Sequence, residues 1–145
     1  MDEIAAFLSA FPPFDRLPPA ALARAAGLMQ IEYFAAGQTI LSQGATPSQF
    51  LYVLRKGRVE LLRADEGGEE LIDSLGPGEA FGYASLIRRR APIVSVRAQR
   101  ETLAYLLPAD SFERLRDEHP AFADYFAAAA LDRLGAALDH HHAEA

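Results

Sequence analysis

The residues with the most chemical potential in this chain run from Phe81 to Val96: Phe81-Gly82-Tyr83-Ala84-Ser85-Leu86-Ile87-Arg88-Arg89-Arg90-Ala91-Pro92-Ile93-Val94-Ser95-Val96. A glycine ahead of helix-compatible residues lets a ligand approach the backbone, and the N–H groups of a first helical turn have no acceptor inside the helix. Such donors suit an anion, phosphate above all. The candidate binding residues are therefore Gly82, Tyr83, Ala84 and Ser85. Arg90 of the arginine run is added as a guanidinium, with Ile93 and Val94 where the chain re-enters a β-branched segment. The same local pattern also fits a plain crossing between two strands, with Gly82 serving the turn and the arginines solvated.

No catalytic constellation accompanies this stretch. Ser85 has no histidine near it in sequence, and His119, ahead of Pro120, reads as a helix-end residue, so no enzyme is expected. The chain has no cysteine, which removes disulfides, thiolate chemistry and Cys-based zinc sites. Asp65, Glu66, Glu69 and Glu70 make an acidic hairpin tip that reads as solvated, and His140-His141-His142 reads as part of a disordered or vector-derived tail. Neither a metal ligand set nor a cofactor is expected. A net charge of -6 argues against direct DNA binding. The acidic start Met1-Asp2-Glu3 and the lack of a long apolar run argue against a leader and a membrane span, so the expected location is cytoplasmic.

Stepping along the 145 residues, helical spacing holds from Asp2 to Phe11 and from Pro18-Pro19 to Gln30. Short β-rich runs follow: 31–34, 39–41, 50–54, a hairpin 59–63 and 69–75 around the tip 64–68, then 92–98 and 102–107. Helices return at Pro108-Ala109-Asp110-Ser111, with Asp110 or Ser111 as cap, and from Pro120 to about Leu138. This predicts N-terminal helices over 1–30 and a β-roll over 31–107 that contains the segment 81–96. C-terminal helices over 108–138 and a disordered tail over 139–145 complete it. The class is mainly β with flanking helices. The last helix carries Phe122, Tyr125, Phe126, Leu131 and Leu134 plus the run Ala127–Ala130, more apolar surface than one barrel face needs, which predicts self-association or an intrachain partner.

Taken together, Ala36-Gly37, Ile40, Gln43-Gly44, Leu51-Tyr52-Val53, Gly57, Val59-Glu60, Leu75-Gly76-Pro77-Gly78 and Phe81-Gly82 resemble the cyclic-nucleotide-binding domain of catabolite activator protein and protein kinase A regulatory subunits. The run Thr102–Leu107, then Phe112, His119-Pro120 and a long helix, matches how that family closes its barrel. The resemblance implies a double-stranded β-helix of jelly-roll type, a phosphate-binding cassette at 81–96, and a regulatory, non-catalytic function in signal transduction. The family's cassette places a Glu directly after the Gly, for the ribose 2'-hydroxyl, and an Arg further on for the cyclic phosphate. Tyr83 and Pro92 stand there. The resemblance therefore implies cyclic AMP or another nucleotide as a weak ligand with altered specificity, Tyr83 being able to stack on a base. The wording Phe81-Gly82-Tyr83-Ala84-Ser85-Leu86 is similar to a subgroup that precedes paired CBS modules and a nucleotidyltransferase-like region of a bacterial protein. The alternative is a repurposed β-roll that works by protein contact or dimerisation with no nucleotide ligand.

Overall fold

The computed structural model describes the backbone of residues 2–144 and the side chains of residues 2–137. Helix α1 (Glu3–Leu8) starts where the Asp2 carboxylate accepts the Ala5 N–H at 2.8 Å. It stops short of the expected Phe11, and the chain continues through a single 3-10 turn over Phe14–Arg16 into α2 (Pro19–Leu28). Proline at the start of α2 costs nothing, because its missing N–H is one that a first turn leaves unpaired anyway.

Eight strands follow: β1 (Gln30–Phe34), β2 (Thr39–Leu41), β3 (Phe50–Lys56), β4 (Val59–Asp65), β5 (Gly68–Leu75), β6 (Ala80–Phe81), β7 (Ser95–Ala98) and β8 (Thr102–Pro108). They form two antiparallel sheets, ordered β1-β8-β3-β6 and β2-β7-β4-β5, which is the expected jelly roll. Three details differ from the sequence reading. The β4–β5 register runs out to Asp65 opposite Gly68, so the hairpin tip is Glu66 and Gly67 alone, with Asp65 accepting the Gly67 N–H at 2.7 Å. The short β6 exists because Gly78 and Leu54 exchange backbone bonds with Leu54 and Glu79 at 2.8 and 2.9 Å. And β7 begins at Ser95 rather than Pro92: proline has no N–H for a ladder, and the Pro92 carbonyl accepts from Gly44 at 2.9 Å instead.

Helices α3 (Tyr83–Arg88), α4 (Ala109–Glu118) and α5 (Pro120–Glu144) complete the chain. The N-cap of α4 is Pro108, with no side-chain cap, so neither Asp110 nor Ser111 plays the expected part; the Ala109 N–H is taken by the Gln49 carbonyl at 3.0 Å. Helix α5 runs past the expected boundary at 138 to Glu144, into the segment read as a disordered tail, because residues 136–144 contain no proline or glycine to stop a helix. The side chains of His140–His142 lie outside the described residues.

The interior has two apolar clusters. One, under the helices, gathers Leu8, Phe14, Leu22, Leu51, Leu107, Phe112, Phe122 and Phe126. The other, between the sheets, gathers Phe34, Leu54, Val59, Leu61, Leu75, Phe81, Val96 and Leu106. Helix α5 touches both: Phe122, Phe126 and Ala130 belong to the first, and Ala137, 0 % exposed, to the second. The aromatic surplus expected on α5 is thus consumed within its own domain, where Phe126 meets Phe14, Tyr83, Phe112 and Phe122.

Candidate ligand-binding site

The chain enters the site through Gly82, whose φ of +90° is a left-handed conformation that only glycine adopts without strain. There is no room for anything larger: a Cβ would lie 2.8 Å from the Phe50 carbonyl oxygen and 3.2 Å from both Ser48 Oγ and Tyr52 Cδ1. From that turn α3 runs six residues and is closed by Arg89 at φ 55°. The loop beyond it is held from inside. Ser85 Oγ accepts the Ser48 N–H at 2.9 Å and donates to the Arg90 carbonyl at 2.6 Å, and the Arg90 N–H returns to the Ser85 carbonyl at 3.3 Å. The Ser85 hydroxyl proton is therefore spent on the fold, and what remains for a ligand here is backbone N–H.

A cavity of about 40 Å³ opens against this turn. Its walls are mostly apolar, with Leu41, Leu61, Phe81, Pro92, Ile93, Val94 and Val96 surrounding Gly82, Tyr83, Ala84 and Ser85. Of the seven residues expected from sequence, the structure brings Gly82, Tyr83, Ala84, Ser85, Ile93 and Val94 together here; Arg90 it does not. Arg90 lines an adjoining open groove with Arg63, Arg88 and Arg89, which shares Arg88, Ala91, Pro92 and Ile93 with the cavity, because the Ser85 clamp on its backbone turns that loop outward. Arg89 pairs with Glu113 of α4.

Tyr83 also behaves differently from the expected stacking platform. Its ring is buried, 6 % exposed, and lies 5.2 Å from the Phe126 ring. Its hydroxyl accepts a hydrogen bond from Arg133 Nη2 at 3.2 Å. Burial pushes the phenol above its ordinary pKa, with the Arg133 guanidinium pulling the other way. No face is left for a base, since a Tyr in a position next to an aromatic helix gains more from covering apolar surface than from waiting in water.

Arg133 is the residue that the sequence reading missed. It lies on α5 between this cavity and a second hollow that holds Glu79, its guanidinium carbon 5.9 Å from the centre of the Tyr83 ring, and its Nη1 is buried with no hydrogen-bond partner among the described residues. A signal was available: Phe122, Phe126, Ala130, Arg133 and Ala137 follow one another at intervals of three and four, so this arginine occupies a place on the buried stripe of α5.

Comparison with known proteins agrees with this architecture. The sequence profile described as the cyclic nucleotide-binding domain matches residues 31–119. The chain belongs to the cyclic nucleotide-binding domain family. Among its relatives, a cAMP-dependent protein kinase regulatory subunit from Emericella nidulans is 34% identical over 76% of this chain and 26% of its own length. The cyclic AMP receptor protein of Thermus thermophilus is 32% identical over 85% of the chain and 57% of its own length. The chain thus spans only part of the length of these relatives. Among solved structures, the catabolite activator protein of Thermus thermophilus superposes with a TM-score of 0.74 at 31% identity, over 90% of this chain and 62% of that one. The regulatory subunit of a cAMP-independent protein kinase A from Trypanosoma brucei gives a TM-score of 0.80 at 21% identity, over 89% and 46%. In this cyclic nucleotide-binding domain, then, Gly82–Ser85 form the turn at the cavity, with Tyr83 turned toward α5 and Pro92 buried.

Proposed function

We propose that this chain is a non-catalytic, ligand-sensing regulatory domain of a bacterial signal-transduction protein, located in the cytoplasm, whose cassette has traded tight cyclic AMP binding for weak or altered nucleotide specificity. The observation that carries this reading is the cavity itself: the Gly82–Ser85 turn is kept, while Tyr83 and Pro92 offer neither a carboxylate nor a guanidinium. Two hydrogen bonds to charged groups, at about 1.5–3 kcal/mol each, are missing, which weakens cyclic AMP by roughly two to four orders of magnitude. The similarity of the Phe81–Leu86 wording supports a place ahead of CBS modules and a nucleotidyltransferase-like region. Calorimetric titration with cyclic AMP, cyclic GMP, AMP and a dinucleotide tests the reading. Cyclic AMP is expected to bind no better than tens of micromolar. Submicromolar binding would overturn the altered specificity, and silence from the whole panel would overturn ligand sensing.

One observation favours the second reading, a β-roll that works by protein contact. Leu131 on α5 stays 70% exposed, in line with an unused apolar position on that helix. If α5 self-associates, sedimentation at tens of micromolar shows a dimer that Leu131→Asp dissolves; a monomer in both cases removes the reading.

A further inference from the structure

Two patches of opposite charge stand side by side on this chain. The end of α3 and the loop after it place Arg88, Arg89 and Arg90 in succession, all exposed, and with Arg63 of β4 they line the open groove of about 630 Å³, whose walls include no carboxylate. Beside it projects the β4–β5 hairpin, whose end carries Glu66, Glu69 and Glu70. Gln43 fastens the two together: its Nε2 donates to the Ala64 carbonyl at 3.0 Å and its Oε1 accepts the Ala64 N–H at 2.7 Å, joining the groove wall to the base of the hairpin tip. Contacts within the chain use little of this charge. Arg89 meets Glu113 and Arg97 meets Glu69, and among the described residues no ion pair takes up Arg63, Arg88, Arg90, Glu66 or Glu70. Arg63 and Glu70 face each other in the β4–β5 register, yet Arg63 gives its Nη1 to the Ile93 carbonyl at 3.1 Å and so belongs to the groove.

Guanidinium groups gathered in one groove repel one another, and on a chain of net charge -6 they form a local field opposite in sign to the whole. An acidic occupant relieves that repulsion, and the chain itself carries one of suitable shape. We propose that the hairpin tip of a second copy of this chain docks in the arginine groove, while its own groove receives the tip of the first. A two-fold pair makes the same contact twice, so it suits a surface that holds both halves of the contact next to each other. The tip is narrow enough to enter, because the ladder ends at Asp65 opposite Gly68 and only Glu66 and Gly67, which has no side chain, lie beyond it. Exposed charges are screened by salt, so the pairing is a weak one that strengthens as the ionic strength falls. It uses neither Leu131 nor any other part of α5.

Sedimentation of the whole chain at tens of micromolar, in roughly 0.01 M and roughly 1 M salt, is the first test, since the Debye length falls between them from about 30 Å to about 3 Å. A dimer is expected in low salt and a monomer in high salt, with Leu131→Asp behaving as the wild type does. Charge reversal is the second test. Glu66→Lys with Glu70→Lys in one variant, and Arg88→Glu with Arg90→Glu in another, should each weaken dimerisation at least tenfold, because like charges then face each other at both contacts. Mixing the two variants leaves one contact as in the wild type and exchanges the charges of the other, so the mixture should dimerise again. The single substitutions Glu66→Lys and Arg90→Glu repeat the mixing experiment if a double variant does not fold. A wild-type monomer in low salt, a dimer equally tight in both salts, or a mixture of folded variants that stays monomeric would overturn the proposal. A dimer dissolved by Leu131→Asp and indifferent to the charge reversals would overturn it too, and would leave the α5 contact standing. A monomer whose Arg88–Arg90 resonances shift with hexaglutamate would replace the second copy by an acidic segment of a different protein.

Discussion

Valine at position 82 would need both a left-handed backbone, at a cost of about 1–3 kcal/mol, and the displacement of the Phe50 carbonyl and the Tyr52 ring, costing about as much again. Gly82→Val is expected to lose about 2–5 kcal/mol in urea unfolding and any response at the cassette amides; an unchanged midpoint would contradict the geometry of this turn. Tyr83 provides a second test, in pH. Its folded-state pKa is raised above 10.0 by burial, so the folded form holds its proton more tightly than the unfolded chain. The stability this contributes is complete below pH 10.0 and is lost as the pH rises through the folded-state value. Melting temperatures should therefore fall on the alkaline side, and Tyr83→Phe should flatten that fall without abolishing it, since burial raises Tyr52 as well. At neutral pH the same variant leaves Arg133 Nη2 without its acceptor, a loss of about 1–2 kcal/mol. Identical alkaline slopes for the two proteins would mean that Tyr83 ionises freely.

Among the elements, α5 reaches the cavity through Arg133 and covers both apolar clusters. Ala137 is fully buried in the cluster between the sheets, so Ala137→Phe should overpack that contact, cost about 1–3 kcal/mol and lift the end of the helix. Faster hydrogen exchange confined to the α5 amides would show this; exchange that speeds up everywhere, or nowhere, would not. This helix also marks where the sequence stopped being legible. Strands such as 50–54 announced themselves through apolar β-branched and aromatic runs, and the Gly82 turn through its glycine, because both signals are local. The clamp between Ser48 and Ser85 joins residues far apart in the chain, and nothing local told Arg90 which way to face. Tyr83 was read against the family's ligand, whereas its actual neighbour is Phe126, a partner that only the packing of α3 on α5 supplies. Arg133 lies seven and three residues after Phe126 and Ala130, on the inner stripe, but a single charged residue there gives no local sign of the cavity it meets.

At the scale of the whole molecule the two apolar clusters share α5, and Tyr83 belongs to the first while its neighbour Phe81 belongs to the second. Loss of the helices should therefore expose the roll, giving one cooperative transition; far-ultraviolet and tyrosine near-ultraviolet signals that melt at different temperatures would show two independent units. The pairing of β1 with β8 carries a further consequence, in time. Asp65 finds Gly68 by folding around two residues, but Phe34 has to wait for Thr102, with most of the β-roll between them. Closing the longer loop costs on the order of 2–3 kcal/mol more chain entropy than closing the hairpin. The β4–β5 hairpin is thus the natural early structure and the β1 edge a late arrival. Loosening the hairpin should slow folding, whereas loosening β1 should chiefly hasten unfolding, so the lifetime of the native state is set at an edge strand remote from the cassette.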